Sequence, residues 1–282
     1  MRYYLKNCVW EITLACCFSC KFCGSKAGQI RQNELTLEEC LSVADQLSEL
    51  GCETVSLIGG EVFMRKDWDI IAEKLAGKGI RVAIISNGFL FSDEIIEKLK
   101  KIHIDSVAIS VDGPETVHDK YRQKGSFKQC ISAIETLIQN GIDTSVISTL
   151  NSENVKLLPE MYEILGKYPL RAWQLQGCSP MGNAALEGID YRISGEEVIE
   201  FIVDHLKISQ FPIGVADNIG FFGEYEGFIR GNVTGLGMYK GCSAGISSIG
   251  IDSIGNVRGC ESMYDDRFIE GNIRDKSLEK IW

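Results

Sequence analysis

Cys16, Cys20 and Cys23 stand in the spacing C-x3-C-x2-C within Cys16-Cys17-Phe18-Ser19-Cys20-Lys21-Phe22-Cys23. Three thiolates that close together can hold three corners of a [4Fe-4S] cube and leave the fourth iron without a protein ligand. An open metal position is a reaction site, whereas a fully ligated one is structural. Two plainer readings compete. Eleven cysteines in 282 residues could form a disulfide framework, but such frameworks belong to small secreted domains, and no signal-peptide pattern opens this long chain. Structural zinc wants four ligands in two CxxC-like pairs, whereas His103, His118 and His205 are scattered without such spacing.

The cysteine spacing resembles the signature of the radical S-adenosylmethionine (SAM) superfamily, and Phe22 fills the place of an aromatic that the family usually carries beside the adenine. The resemblance implies a [4Fe-4S] cluster on Cys16, Cys20 and Cys23, with SAM on its open iron. Gly59-Gly60-Glu61 looks like the family's G-G-E motif for the amino group of SAM, with Val62 where Pro is usual. Glycines let backbone carbonyls approach closely, and a carboxylate is a charge-assisted acceptor for an ammonium. Ser86-Asn87-Gly88 resembles the T-N-G segment near the ribose and the substrate. Ser110-Val111-Asp112-Gly113 resembles the S-x-D-G segment, whose Ser, and in some members also the Asp, contacts the ribose hydroxyls. Arg122 falls where the family pairs an Arg with the SAM carboxylate, a task that suits the guanidinium fork. Gln176 is expected to point toward the adenosyl group, ahead of Pro180-Met181-Gly182-Asn183-Ala184, which resembles the P-x-G-x-A turn of members with a SPASM or twitch extension. Cys178, at the same rim, reads either as a small buried hydrophobe or as a thiol that donates a hydrogen atom to a substrate radical or ligates a second cluster.

The elements that must position these residues alternate. Strands are expected at Tyr3 to Thr13, Thr54 to Ile58, Arg81 to Ile85, Ser106 to Val111, Thr144 to Thr149 and Ala172 to Gln176. Helices are expected at Leu37 to Leu50, Asp67 to Leu75, Asp93 to Lys101, Phe127 to Gln139, Asn154 to Lys167 and from Ser194 to about Ile208. Thr36…Glu39 and Ser194…Glu197 read as capping boxes. Cys8, in mid-strand, reads as a packing residue. Short apolar strands alternating with helices predict a parallel sheet with right-handed crossovers. Six units are too few for a closed eight-stranded barrel. The fold class is α/β, an open (β/α)6 partial TIM barrel, as the resemblance also implies. Ligands then bind at the carboxyl ends of the strands, where each motif above falls.

The division expected is a core at 1–210 and a C-terminal extension at 211–282. Phe221, Phe222, Tyr225, Phe228 and Tyr239 make the start of that extension aromatic, either lining the substrate mouth or packing as a loop. Cys242, Gly255 and Cys260 form C-x12-G-x4-C around a Gly255-Asn256 turn. This resembles the opening hairpin of a SPASM or twitch module, and Gly271-Asn272-Ile273 through Trp282 matches too. The module implies an auxiliary [4Fe-4S] cluster with Cys242 and Cys260 among its ligands. Two cysteines cannot hold a cluster alone, and the family's further cysteines do not follow within these residues. Either the sequence is cut short after Trp282 and the parent protein carries the auxiliary cluster, or the auxiliary site is incomplete.

A formal charge of −10, from 29 basic and 39 acidic side chains, argues against nucleic acid as a partner. No apolar run approaches the roughly 20 residues of a membrane span. Reduced thiols imply the cytoplasm, and an exposed iron implies an anaerobic setting. The resemblance implies reductive cleavage of SAM and hydrogen abstraction by the 5′-deoxyadenosyl radical. The Val9-Trp10-Glu11-Ile12-Thr13 lead-in, the P-x-G-x-A turn and the hairpin look like maturases of ribosomally made peptides. The expected substrate is therefore a precursor peptide, receiving a thioether, a crosslink, an epimerised residue or a decarboxylation. A flavodoxin, ferredoxin or reductase would supply the electron. The chain starts almost at its first strand, so a separate protein is expected to bind the leader. The alternatives are a twitch-type dehydrogenase or epimerase of a small molecule, and a non-enzymatic iron–sulfur protein.

Overall fold

The computed structural model describes residues 3–234 and 241–282. In chain order the elements are β1 (Asn7–Glu11), α1 (Leu37–Glu49), β2 (Thr54–Ile58), α2 (Trp68–Gly77), β3 (Arg81–Ser86), α3 (Asp93–Ile102), β4 (Ser106–Ser110), α4 (Glu115–Tyr121), α5 (Ser126–Gln139), β5 (Thr144–Leu150), α6 (Leu158–Leu165), β6 (Ala172–Gly177), α7 (Gly182–Leu186), α8 (Gly195–Leu206), β7 (Ile213–Val215), α9 (Glu226–Thr234), β8 (Ser248–Ile251), β9 (Asn256–Arg258), β10 (Gly271–Asn272) and α10 (Leu278–Ile281).

The strands form one sheet in the order β10-β9-β8-β1-β2-β3-β4-β5-β6-β7. Neighbours from β1 to β7 pair in parallel. This is the partial-barrel plan that the alternation predicts. Along each strand the side chains alternate between two faces. Cys8 and Trp10, Val55 and Leu57, Val82 and Ile84, Val107 and Ile109, and Trp173 and Leu175 are buried in one core with the helices. Each large apolar side chain so buried stabilises by about 1.5–3 kcal/mol. Val9, Ser56, Ala83, Ala108 and Ile147 on the other face are only half-buried, and Gln174 is exposed. That face carries small side chains at Ser56, Ala83 and Ala108 beside the larger Val9 and Ile147.

The helices start where their caps lie. At α1 the Thr36 hydroxyl accepts from the Glu39 amide and the Glu39 carboxylate accepts from the Thr36 amide, a complete capping box. At α8 only half of the expected box forms, with Ser194 accepting from Glu197 N. Several expectations are corrected. The first strand is shorter, since Tyr3 and Tyr4 lie exposed. Asn154–Leu157 is a 3₁₀ turn ahead of α6, and Pro159 takes the second position of that helix, where its missing N–H costs nothing. Helices α4 and α7 were not foreseen. Over 211–234 the chain is not a plain loop: β7 extends the sheet beside β6, and α9 follows. Phe222 is buried there, while Phe221 and Tyr225 are exposed. Tyr239 lies outside the described residues.

The C-terminal hairpin joins the barrel sheet. Strand β8 pairs with β1 in parallel, β9 returns antiparallel to β8, and β10 follows β9. Gly255, at φ +88, closes the β8–β9 turn in a backbone conformation that suits glycine.

Candidate active site

The loop after β1 carries Cys16, Cys20 and Cys23, all half-buried with free thiols. Its backbone is clamped from two sides. Gly60 N donates to Thr13 O and Glu61 N to Ala15 O, each at 2.8 Å. A Cβ at Gly59 would lie 2.4 Å from Thr13 O, and one at Gly60 would lie 2.2 Å from Ala15 O. Only glycine permits this approach. On the opposite side Asn183 N donates to Cys23 O at 2.8 Å, and Asn183 Nδ2 donates to Cys20 O at 2.9 Å. Gly182 has φ +58, and a Cβ there would lie 2.2 Å from Cys23 O.

Around the sulfurs the donors suit thiolates. Phe18 N lies 3.4 Å from Cys16 Sγ and Ala27 N lies 3.3 Å from Cys23 Sγ. Burial pushes the Cys20 thiol up to about 11, against the opposing pull of the Arg122 charge. Hydrogen bonds from Cys16 and Asn87 hold the Cys17 thiol down. Among the described residues no three His, Cys, Asp or Glu side chains converge as a single metal ion requires. A four-iron cluster, whose cysteines sit on separate irons, makes no such demand. Three soft donors with backbone N–H groups at two of them fit a cluster of that kind.

Glu61 is buried at the end of β2. Its Oε1 accepts from Ser86 Oγ at 2.9 Å and its Oε2 from Asn87 N at 2.8 Å. The carboxylate thus ties the end of β2 to the end of β3. Burial pushes it up to about 7, partly offset by these bonds. Asn87 Nδ2 reaches Cys17 Sγ at 3.5 Å, so the third strand end also touches the cysteine loop.

Asp112 follows β4 and is fully buried. It pairs with Arg122 Nε, and its Oδ1 accepts from Thr149 N at 2.8 Å. Helix α4 brings Arg122 back under the loop, with its guanidinium 5.4 Å from the Phe22 ring. His118 on the same helix accepts from Asp112 N at 3.2 Å through Nδ1. Asp119 accepts from Gly125 N and Phe127 N, which organises the start of α5. Ser110 is buried at the end of β4, where its carbonyl accepts from Cys130 Sγ.

Phe22, Tyr121, Cys178 and Ala184 form a small apolar cluster apart from the main core. The Phe22 and Tyr121 rings stand 5.6 Å apart. Cys178 is buried among them, and burial pushes its thiol up to about 11. Gln176 Nε2 donates to Thr149 Oγ1 at 3.1 Å. Cys242 is exposed and Cys260 half-buried. Their segments meet where Gly259 packs on Ala244 and Gly245. The cysteine loop, Glu61, Ser86, Asn87, Asp112 and Arg122 are therefore drawn together, while Cys242 and Cys260 lie across the β8 side. Sequence reasoning missed His118, Asp119, Thr149 and the clamp by Asn183. The run His118-Asp119-x-x-Arg122 held a signal, since a helix there turns all three toward Asp112 and α5.

A parallel partial barrel that clamps three cysteines at its carboxyl ends defines a cluster-binding enzyme class. The family described as the radical SAM superfamily matches residues 10–165. The chain belongs to that superfamily and is a SAM-dependent enzyme whose family chemistry uses a [4Fe-4S] cluster. It is 26% identical to an AdoMet-dependent heme synthase of Oleidesulfovibrio alaskensis, over 97% of this chain and 73% of that protein. It is 29% identical to the mycofactocin maturase MftC of Mycolicibacterium smegmatis, over 97% of this chain and 69% of that protein. In fold it resembles Streptococcus suis SuiB bound to S-adenosylmethionine, with TM-score 0.81, 15% identity, and coverage of 99% of this chain and 66% of that one. It also resembles anSMEcpe with bound AdoMet, with TM-score 0.73, 15% identity, and coverage of 98% and 80%. No helix among the described residues is long and apolar enough to cross a membrane.

Proposed function

We propose that this enzyme modifies a ribosomally made precursor peptide by radical chemistry. The observation that carries the peptide reading is the 29% identity to a named maturase across 97% of the chain. On this reading the substrate lies against the concave sheet face that carries Ser56, Ala83 and Ala108, all of them half-buried. A cluster held by Cys16, Cys20 and Cys23, with SAM bound beside it, would supply one-electron chemistry able to activate a substrate C–H bond.

The chain's own residues divide the remaining work. Cys16, Cys20 and Cys23 hold three irons, and the backbone at Gly59, Gly60 and Gly182 fixes their loop. Glu61 orders Ser86 and Asn87, and the Gly59–Glu61 turn receives the amino end of SAM. Arg122, positioned by Asp112, receives its carboxylate. Phe22 and Tyr121 wall the adenine side. Ser86, Ser110 and Gln176 face the ribose and adenosyl region. Cys178, in the buried cluster with Phe22 and Tyr121, is the candidate hydrogen-atom donor. We take 1–210 as the core and 211–282 as a twitch- or SPASM-like extension, with Cys242 and Cys260 as auxiliary-cluster ligands that need further partners. A flavodoxin, ferredoxin or reductase supplies electrons, and a separate leader-binding protein presents the peptide. The setting is anaerobic cytoplasm.

A small-molecule substrate is the second reading, favoured by the equal extent of the match to a heme synthase. The test is anaerobic. Protein reconstituted with iron and sulfide receives dithionite and SAM, and 5′-deoxyadenosine is measured for wild type and Cys20→Ala. Product from wild type alone supports the radical reading. A clustered wild type that makes none, with peptide or tetrapyrrole added, refutes it. Stimulation by peptide but not by tetrapyrrole separates the two substrates.

A further inference from the structure

Beyond the cysteine loop, the carboxyl ends of β1 and β8 bury a second set of charges. Glu11 ends β1 and is fully buried. Its Oε1 accepts from Arg31 Nη1 at 2.6 Å and from Ser253 N at 3.2 Å. Asp252 follows β8 and pairs with Arg258 Nη1 at 2.8 Å. Two carboxylates thus hold two guanidiniums. Glu261 is the odd charge. It is 4% exposed, and neither of its carboxylate oxygens has a hydrogen-bond partner among the described residues. Glu11 Oε2 is likewise buried and unpartnered.

Glu261 lies over β8 at Gly250, where a Cβ would come within 2.9 Å of its Oε1 and 2.5 Å of its backbone N. The absent side chain is what lets the carboxylate in. Gly250 is paired with Val9, and Val9 shares its strand face with Glu11. The two glutamates therefore lie on one face of the sheet, and the Glu11 charge bears on Glu261. The ring of Tyr264, which is near both glutamates, packs toward Gly24 of the cysteine loop. One side chain separates this pair from the candidate reaction centre.

A buried carboxylate without a partner is costly, and the usual remedy is a counter-charge with hydrogen-bond donors. Burial pushes the Glu261 carboxyl up to about 8, which is what leaving it buried without a counter-charge costs. Three carboxylate oxygens of the pair lack a partner among the described residues, and with every group ionised the set carries one negative charge in excess. A primary ammonium carries one positive charge and three N–H donors, and no acceptor that would need satisfying. Among the described residues no three His, Cys, Asp or Glu side chains converge here as a single metal ion requires. We propose that Glu261 and Glu11 form a subsite for a primary ammonium of the substrate. This rests on the reading of the concave face as the substrate chamber.

The test is a binding measurement on the reconstituted full chain with SAM present. The probes are n-butylammonium, n-butyltrimethylammonium and 1-butanol, followed by ligand-observed NMR titration and by thermal shift. Wild type is expected to bind the primary ammonium and to discriminate at least about tenfold against the quaternary one, which has charge but no donors. Glu261→Gln is expected to bind the primary ammonium about tenfold more weakly, while Glu261→Asp keeps part of the preference. SAM-binding affinity, measured alongside, shows that each variant is folded. Equal binding of the three probes, wild-type binding in Glu261→Gln, or no binding to wild type because the site holds water only, would each overturn the proposal. Formation of 5′-deoxyadenosine without added substrate is read separately, so failure here leaves the radical reading standing.

Discussion

Gly60 has no room for a methyl group, because a Cβ there would lie 2.2 Å from the Ala15 carbonyl oxygen. That oxygen is backbone and cannot swing away. Gly60→Ala must push the cysteine loop off the end of β2, at a cost of about 1–3 kcal/mol typical of overpacking. The expected protein keeps its far-ultraviolet circular dichroism but binds clearly less iron and sulfide per chain on reconstitution. Full iron loading would show that the loop adapts and that the glycine is not what sets it. His118 makes a different claim. Burial pushes its imidazole down to about 4, with Asp112 opposing. The folded value lies below the unfolded one, so the native state holds the ring neutral. The stability this lends is complete above about pH 6.5 and is lost as pH falls through about 4. The difference corresponds to about 3 kcal/mol. Urea titrations at several pH values are expected to show wild type weakening across that window and His118→Gln weakening less. Parallel losses in both proteins would remove His118 as the cause.

At the scale of elements, Arg274 ties the last segment to the first helix. Its Nε and Nη2 reach Glu39 Oε1 and Oε2 at 2.6 and 2.8 Å, and Nη1 donates to Asn33 O at 3.1 Å. Glu39 also closes the α1 capping box, and the hydrogen bond from Arg274 pulls its carboxyl down to about 2. The pair is partly exposed, so it contributes only about 1 kcal/mol and is screened by salt. Arg274→Ala is expected to speed amide exchange across 271–282 by about fivefold, with the difference shrinking at high salt. No change would assign the docking to Leu278 and its bond to Gln46 instead. Elements of this sort differ in how far the sequence announces them. Strand β2 and helix α1 were legible because Val55 and Leu57 alternate and Thr36…Glu39 is a local cap. Helix α4 was not, since its seven residues bury only His118 and Tyr121 and show no apolar period. Strand β7 hides between Pro212 and Ala216 as three residues whose strand state comes from pairing with Trp173–Leu175. At the site, Cys16, Cys20, Cys23 and Gly59–Glu61 were legible from local spacing. Asn183 was not, because its meaning lies in reaching Cys20 and Cys23 across the fold.

At the scale of the whole molecule, the least legible fact is the parallel pairing of β8 with β1, between segments at opposite ends of the chain. Asn7, Cys8, Val9 and Trp10 pair with Ser248, Ile249, Gly250 and Ile251. Without that strand, β1 would be an edge with unpaired backbone groups beside the cysteine loop. Leu35 N also bonds Ser253 O at 2.8 Å, and Glu11 would lose its bond from Ser253 N. Ile249, Ile251, Val257 and Leu278 are each at most 4% exposed. Burying these four contributes about 6–12 kcal/mol, which is comparable to the whole net stability of a typical domain, about 5–15 kcal/mol. The segment 248–282 is therefore part of the barrel's stability. A chain cut to residues 1–241 is expected to lose cooperative thermal unfolding and to aggregate, as judged by circular dichroism and sedimentation. The full chain is expected to unfold its Trp282 and Trp173 environments at one temperature. If the 1–241 fragment melted like the full chain, β8 would be ornamental to the barrel, and the buried charges of Glu11 and Arg31 would have to find other partners.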